Sequence, residues 1–258
     1  IGRGAGGRNL VLSDLGHPRP HIGEGDEAEQ LHVIGGGGAG IVGLHHRVLH
    51  QPAGGLLQVT EDGGRNWKPV TYAGKYIKGL CALDIVKEEF INHGEIGYKY
   101  HVYGVGRVGS PANFLVSHDD GNSFTSMDMS PYCSALYDIK MFNKKEGFAC
   151  ASTTEDIANS HALILHTLDG GKTWKKVFES QRPFEITWKM FFPSNKVGYA
   201  TIQNYNPDKT VDTQHYIKTT NGGKKWKEYV LCKDYKARSF GVGFIDENNG
   251  FIGTMNSG

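Results

Sequence analysis

Three arginines follow Trp67 in this chain: Arg107, Arg182 and Arg238. A guanidinium is a planar fork of donors that grips a carboxylate or phosphate through two bonds at once. Gathered on one surface, the three would hold an anionic ligand; three unrelated surface arginines are the plainer reading. Four acids in polar stretches, Glu155, Glu185, Asp208 and Asp212, are candidates for the carboxylate pair that cleaves a glycosidic bond. Acids in such stretches are more often merely solvated. The polar stretch from Asn204 to Thr213 is long enough to carry recognition, or to be a tolerated insertion.

Two further patterns suggest cofactor chemistry. Val33 to Gly40 holds glycines spaced as in a dinucleotide fingerprint, with Glu61 as a candidate ribose acid. Against a nucleotide module stand the shortness of this region, the 26 residues from Gly35 to Glu61, and the strand-like run Leu56–Thr60 that leads into a turn. Oxidoreductase-type binding there is kept as a minor alternative. His46 and His50 are spaced for one helix face, but no neighbouring carboxylate or cysteine completes a metal set. Neither a cofactor nor a metal is expected.

The elements that must position these groups are read from composition and repeats. Lys and Arg total 28 against 27 Asp and Glu, which argues against a dedicated nucleic-acid binder. No apolar run is long enough to span a bilayer, so no integral membrane segment is expected. Cys81, Cys133, Cys150 and Cys232 form no close pair, which argues against a zinc knuckle. Buried free thiols are preferred, with a Cys133–Cys150 disulfide as the alternative in an exported protein. The first residue is Ile, so either a leader has been removed or the sequence is a fragment. Residues 1–66 contain no Phe, Tyr, Trp or Lys. The first 50 residues are therefore expected to be the least regular, with 1–30 as an atypical N-terminal segment and 31–258 as the main domain.

Four segments follow one template: Thr60 to Trp67, Ser117 to Phe124, Thr167 to Trp174 and Thr219 to Trp226. Their starts lie 57, 50 and 52 residues apart, the spacing of a four-stranded propeller blade. Each places a hydroxyl, then an acid or amide (Asp62, Asp119, Asp169, Asn221), then glycine, then an aromatic (Trp67, Phe124, Trp174, Trp226). This is the chemistry of a tight hairpin: the acid accepts turn amides, glycine takes positive φ, and the ring turns inward. Paired apolar runs recur before the boxes, as at Ile139–Phe142 with Glu146–Ala149, and at Met190–Phe192 with Val197–Ala200. A last pair, Gly243–Ile245 with Asn249–Ile252, has no hairpin after it. Either Asn9–Ser13 completes that blade or the chain is truncated.

The four segments resemble the Asp box, or BNR repeat, and Thr167 to Trp174 fits its form at every position. The combined pattern in 147–174 and 198–226 looks most like Ycf48/HCF136-like photosystem II assembly factors. Sialidases, some endoglucanases and sortilin-type receptors share the repeat. The resemblance implies an all-β fold: a β-propeller of four-stranded antiparallel blades, with four boxes and a partial fifth blade. It implies a scaffold that binds a protein partner or ligand, and it favours an extracytoplasmic or secreted location. In such blades the loops between strands two and three lie on the face opposite the box turns. Arg107, Arg182 and Arg238 map to that face, where a partner or glycan would bind. The alternative from another class is a sialidase-like glycoside hydrolase, which also uses three arginines on a substrate carboxylate. Its Arg-Ile-Pro motif is absent from this sequence.

Overall fold

The computed structural model describes residues 34–36, 39–44, 47–50, 57–73, 79–106 and 111–256, with side chains from Leu57 onward apart from 71–73 and Asn256. The chain divides into two units, 1–30 and 31–258, and the first lies outside the described residues together with Asn9–Ser13.

Strands account for nearly all regular structure, with one 3₁₀ turn at Ile157–Asn159. Blade I holds β1 (Ile34–Gly36), β2 (Ala39–Leu44), β3 (Arg47–His50), β4 (Gln58–Thr60) and β5 (Lys68–Pro69), paired in sequence order. Next comes β6 (Thr71–Ala73). Blade II holds β7 (Ala82–Asn92), β8 (Glu95–Gly106), β9 (Asn113–Ser117) and β10 (Ser123–Asp128), and β6 joins its outer edge in parallel with β10. Blade III holds β11 (Ala135–Met141), β12 (Gly147–Ser152), β13 (Ala162–Thr167) and β14 (Lys175–Glu179). Blade IV holds β15 (Glu185–Phe191), β16 (Gly198–Asn204), β17 (Thr213–Thr219) and β18 (Lys227–Lys233). Blade V contributes β19 (Ala237–Phe244) and β20 (Gly250–Asn256). The leading strands of neighbouring blades lie side by side in the series β7, β11, β15, β19. The fold is an all-β propeller with four box hairpins and a partial fifth blade.

The first blade corrects two readings. The glycine run does not form a strand, loop and helix: Ile34–Gly36 pairs antiparallel with Ala39–Leu44, Gly35 opposite Gly40. A hairpin offers no helix N-terminus to a pyrophosphate, so the dinucleotide reading falls. His50 lies on a strand rather than a helix face. Within the first 50 residues, Ile34–Gly36, Ala39–Leu44 and Arg47–His50 pair as strands, and the rest of that stretch lies outside the described residues.

Each box turn closes as its residue types dictate. The Thr167 hydroxyl donates to Asp169 Oδ1 at 2.9 Å and accepts the Gly171 amide at 2.8 Å. Asp169 also accepts the Thr173 amide at 2.9 Å and the Thr173 hydroxyl at 2.6 Å. The other three turns repeat the hydroxyl-to-glycine and acid-to-amide bonds. In the fourth, Asn221 replaces the acid and Lys225 the side-chain donor, and only the amide bond, 2.9 Å, remains between these two. Gly171 has φ +89°, and a Cβ there would stand 2.2 Å from the Phe114 ring of blade II. Gly223, φ +76°, meets Phe148 of blade III in the same way at 2.1 Å. Glycine is thus required both for backbone conformation and for blade-to-blade contact.

The apolar core lies between neighbouring sheets. Tyr103, Phe114, Met129, Leu136 and Trp174 fill the space between blades II and III; Phe148, Ile164, Ile202 and Ile217 fill the next. β12 and β16 are buried along their whole length, while the outer strands β14 and β18 are largely open. Phe124 and Trp174 are buried as expected, at 1% and 4% exposure. Trp67 and Trp226 are only half-buried, which corrects the expectation of four equivalent rings. Trp226 packs at the margin of its cluster, against Phe148 and Phe192, and Trp67 precedes a two-residue outer strand. None of the four cysteines is in a disulfide, and burial pushes the Cys133 thiol up to about 12.

Trp174→Ala should cost about 3–5 kcal/mol in urea unfolding, as for other enclosed aromatics, and Trp67→Ala should cost less. The box acids give a pH signature. The Asn66 amide, the Asn66 side chain and the Thr60 hydroxyl hold Asp62 down to about 2. At Asp119 and Asp169 burial pushes upward, but the hydrogen bonds of the turn outweigh it and hold both below the usual value. Depressed folded values mean stability that is present above the ordinary 3.8 and is lost as pH falls toward the folded values. The unfolding midpoint should therefore drop from about pH 4 toward about pH 2. Asp169→Asn should lower the midpoint at neutral pH and flatten that drop.

Candidate functional site

On the face opposite the box turns, the loop from β16 to β17 is built rather than slack. Asn204 Oδ1 accepts the Asn206 amide at 2.8 Å, and Asn204 Nδ2 donates to the Val211 carbonyl at 3.3 Å, drawing the loop's two ends together. Asp208 accepts the Thr210 amide and hydroxyl at 2.9 and 2.8 Å. Tyr205 donates its hydroxyl to Gln203 Oε1 at 2.7 Å, and Gln203 Nε2 donates to the Ser239 carbonyl at 2.7 Å. The loop is thereby tied to blade V.

Against this loop stands Arg238, at the start of β19. Its guanidinium lies 4.1 Å over the Tyr205 ring, and Nε donates to the Asn204 carbonyl at 3.4 Å. Together they line a cavity of about 510 Å³, completed by Lys209, Tyr235 and Lys236. Lys209 Nζ stands 5.5 Å over the Tyr235 ring. Among the described residues no acid lines the cavity, which presents three cations and two aromatic faces. Such a wall favours carboxylates and stacked rings.

The other arginines are placed differently. Arg182 is bound to two carboxylates at once. Nε and Nη2 donate to Glu185 at 2.7 and 3.2 Å, and Nη1 and Nη2 donate to Glu228 at 2.8 and 2.7 Å. Its fork is filled from within the fold, and the Glu228 bonds foremost hold its proton more firmly than usual. Arg107 lies outside the described residues.

The candidate acids are likewise spoken for or dispersed. Glu185 is 1% exposed and lies under Arg182; burial pushes its carboxyl up against the pull of the guanidinium. Asp208 is committed to the Thr210 turn, and Asp212 accepts the Thr213 hydroxyl at 3.2 Å. Glu155 is exposed in the loop before β13. Among the described residues, no group of three or more His, Cys, Asp or Glu is arranged to hold a metal. No helix there is long and apolar enough to cross a membrane.

Sequence reasoning missed a second constellation, on the box-turn face between blades II and III. Buried His101 on β8 lies between Glu88 and His118, with Nε2 2.7 Å from Glu88 Oε2 and Nδ1 2.9 Å from His118 Nδ1. Lys144 also bonds Glu88. The Lys144 and His101 bonds hold the Glu88 carboxyl down to about 2. No local motif announces this chain of groups, because strand pairing across blade II brings it together.

No family model matches the chain, and no curated protein does. Solved structures share its fold. Ycf48 from Cyanidioschyzon merolae is similar with TM-score 0.51 and 15% identity, covering 84% of this chain and 66% of that one. The GH74 xyloglucanase from Xanthomonas campestris gives TM-score 0.55 and 13% identity, covering 82% and 34%. The Niastella koreensis GH74 enzyme gives TM-score 0.50 and 15% identity, covering 80% and 30%. The chain thus spans just under two thirds of the Ycf48 structure and about a third of the GH74 structures. The fold is that of a Ycf48-like β-propeller.

Arg182→Ala should destabilise by about 1–3 kcal/mol, because it strands a buried carboxylate. Without the guanidinium, burial and the nearby Glu228 charge outweigh the Ser180 hydrogen bond and raise the folded value of Glu185 further above 4.5. A raised folded value gives stability that is present at low pH and is lost as pH rises. The deficit of the variant, read by thermal unfolding, should therefore grow from about pH 5 to about pH 8.

Proposed function

We propose that this chain is a non-enzymatic scaffold whose propeller binds a protein partner through the face opposite the box turns. The observation that carries the reading is the Arg238 cavity: three cations and two aromatic rings, with no acid, on a loop tied down by its own hydrogen bonds. A cavity of about 510 Å³ takes a short piece of polypeptide, such as an acidic residue beside an aromatic one. The preformed loop lowers the ordering cost of association. Fold likeness alone does not choose this function, since Ycf48 and xyloglucanases share the architecture. What favours binding over glycoside cleavage is the state of the candidate carboxylates: Glu185 is neutralised by Arg182, and Asp208 is absorbed by its turn.

The test uses the native chain and two variants, Arg238→Ala and Tyr205→Ala, compared for retained partners and for unfolding midpoint. A partner held by the native chain should be lost, or weakened about tenfold, with either variant. Arg238 sits on a loop-lined rim, so its own variant should leave the midpoint nearly unchanged. Undiminished binding by both variants would remove this face from the reading. Hydrolysis of xyloglucan or sialosides that disappears on changing Glu155, Glu185, Asp208 or Asp212 would replace it with the glycosidase.

A further inference from the structure

The Glu88–His101–His118 chain opens onto a cavity of about 520 Å³ between blades II and III, on the face of the box turns. The hydrogen-bond polarity follows from the chemistry of the groups. Glu88 is ionised and only accepts, so His101 Nε2 carries the proton between them. In neutral His101 the remaining nitrogen, Nδ1, is then an acceptor, and it takes the Nδ1 proton of His118. His118 is left with a lone pair on Nε2, which has no partner among the described residues, and its ring lines the cavity.

Besides Lys144, which is bonded to Glu88, two lysines face the same space. Lys145 comes from the turn after β11 and Lys172 from the box turn of blade III. The Gly170 amide donates to the Lys145 carbonyl at 2.8 Å, which holds the two turns together. Neither lysine has an ion pair among the described residues. The one acid on the wall, Asp169, is filled by its own turn. Phe114, Val116 and Met127 make the floor apolar.

We infer that this cavity binds a phosphate monoester with an apolar body, its head held by His118, Lys145 and Lys172. The choice of phosphate over carboxylate comes from donors and acceptors. The lysines supply donors, and neutral His118 supplies an acceptor. A head that both accepts and donates satisfies all of them. A phosphate monoanion keeps one P–OH to donate to Nε2, whereas a carboxylate has no proton to give. The alternative placement of that proton, an imidazolium facing a phosphate dianion, is supported by Glu88 through His101.

The complex holds one proton shared between ring and phosphate. Among the described residues, the charged and titratable groups around His118 are Glu88, His101, Lys99, Lys144, Lys145, Lys172, Asp119, Asp169 and Tyr103. Burial foremost, with the positive charges of Lys99 and Lys144, keeps His118 below its ordinary value. Above the second phosphate ionisation, about pH 6, neither free partner carries the shared proton. Binding must then take one up, so affinity falls about tenfold per pH unit.

Phenyl phosphate, benzoate and phenol are the probes, titrated against the full chain with histidine ring signals read by NMR. Phenyl phosphate should shift the His118 ring saturably and bind more tightly than benzoate, with phenol weakest. Lys145→Gln combined with Lys172→Gln should weaken it by at least about tenfold without moving the unfolding midpoint, since both side chains are exposed. His118→Gln should remove the pH slope above about 6. The inference fails if no saturable shift occurs at His118, if benzoate or phenol binds as well as phenyl phosphate, or if the lysine variant binds unchanged. Binding that moves the Arg238 loop instead of His118 also overturns it, and leaves the partner reading of that loop untouched.

Discussion

The structure depends on one contact made between successive blades: the second glycine of a box turn pressed beneath an aromatic ring of the blade before it. Phe114 lies over Gly171, and Phe148 over Gly223, each so close that a Cβ would collide. The turn cannot approach unless its backbone is held in left-handed conformation, and the hydroxyl and acid of the box do that holding. The Ser or Thr hydroxyl serves twice, donating to the acid and accepting the glycine amide. The box aromatic then meets the same ring edge-on, as Trp174 meets Phe114 at 5.4 Å. Turn chemistry and blade packing are therefore one constraint.

Nearer the axis, a polar contact does what the aromatic does further out. Asp84 of β7 accepts the Met141 amide of β11 at 2.6 Å, and Asp138 of β11 accepts the Met190 amide of β15 at 2.9 Å. Each also faces a lysine, Lys140 or Lys189, on the strand it grips. Further along, hydroxyls take the place of carboxylates: Thr187 bonds Ala151 and Leu163, and Ser239 bonds Ile202. Burial raises both aspartates above the ordinary value, against the pull of their lysines. Buried carboxylates of this kind hold register more than they add stability, because desolvation offsets most of the attraction.

The repeats were legible because they are local. A box occupies eight consecutive residues, and its side chains act on its own backbone, so residue type and spacing suffice to read it. The same holds for the paired strands ahead of the third and fourth boxes. What escaped reading depends on partners distant in sequence. Nothing around Thr71–Ala73 signals a strand that will lie parallel to β10. The β7–β8 hairpin runs 11 and 12 residues to a turn at His93–Gly94, both with positive φ, and carries exposed Phe90, Ile91 and Ile96. Its length is set by pairing, which alternation alone does not bound. Arg182 looked like a free guanidinium because Glu228, its second partner, lies 46 residues away. The glycine run was misread for the opposite reason: a motif can be matched locally while the elements around it decide its meaning.

The propeller separates two kinds of surface. Turns on the box face are short, so on that face chemistry arises where adjacent blades bring side chains together, as at His118 and Lys172. Connections on the opposite face carry no box constraint. There a single loop can grow, as between β16 and β17, and build a wall from its own residues together with Arg238. A site of the first kind is fixed by blade packing and changes only if the fold shifts. A site of the second kind changes with the loop. That asymmetry explains why the Arg238 cavity was partly visible as a long polar insertion, while the histidine cavity was not visible at all. Its members, Glu88, His101, His118, Lys145 and Lys172, belong to separate strands and turns. Strand pairing in blade II joins the first three, and the stacking of blade III on blade II brings the two lysines to them.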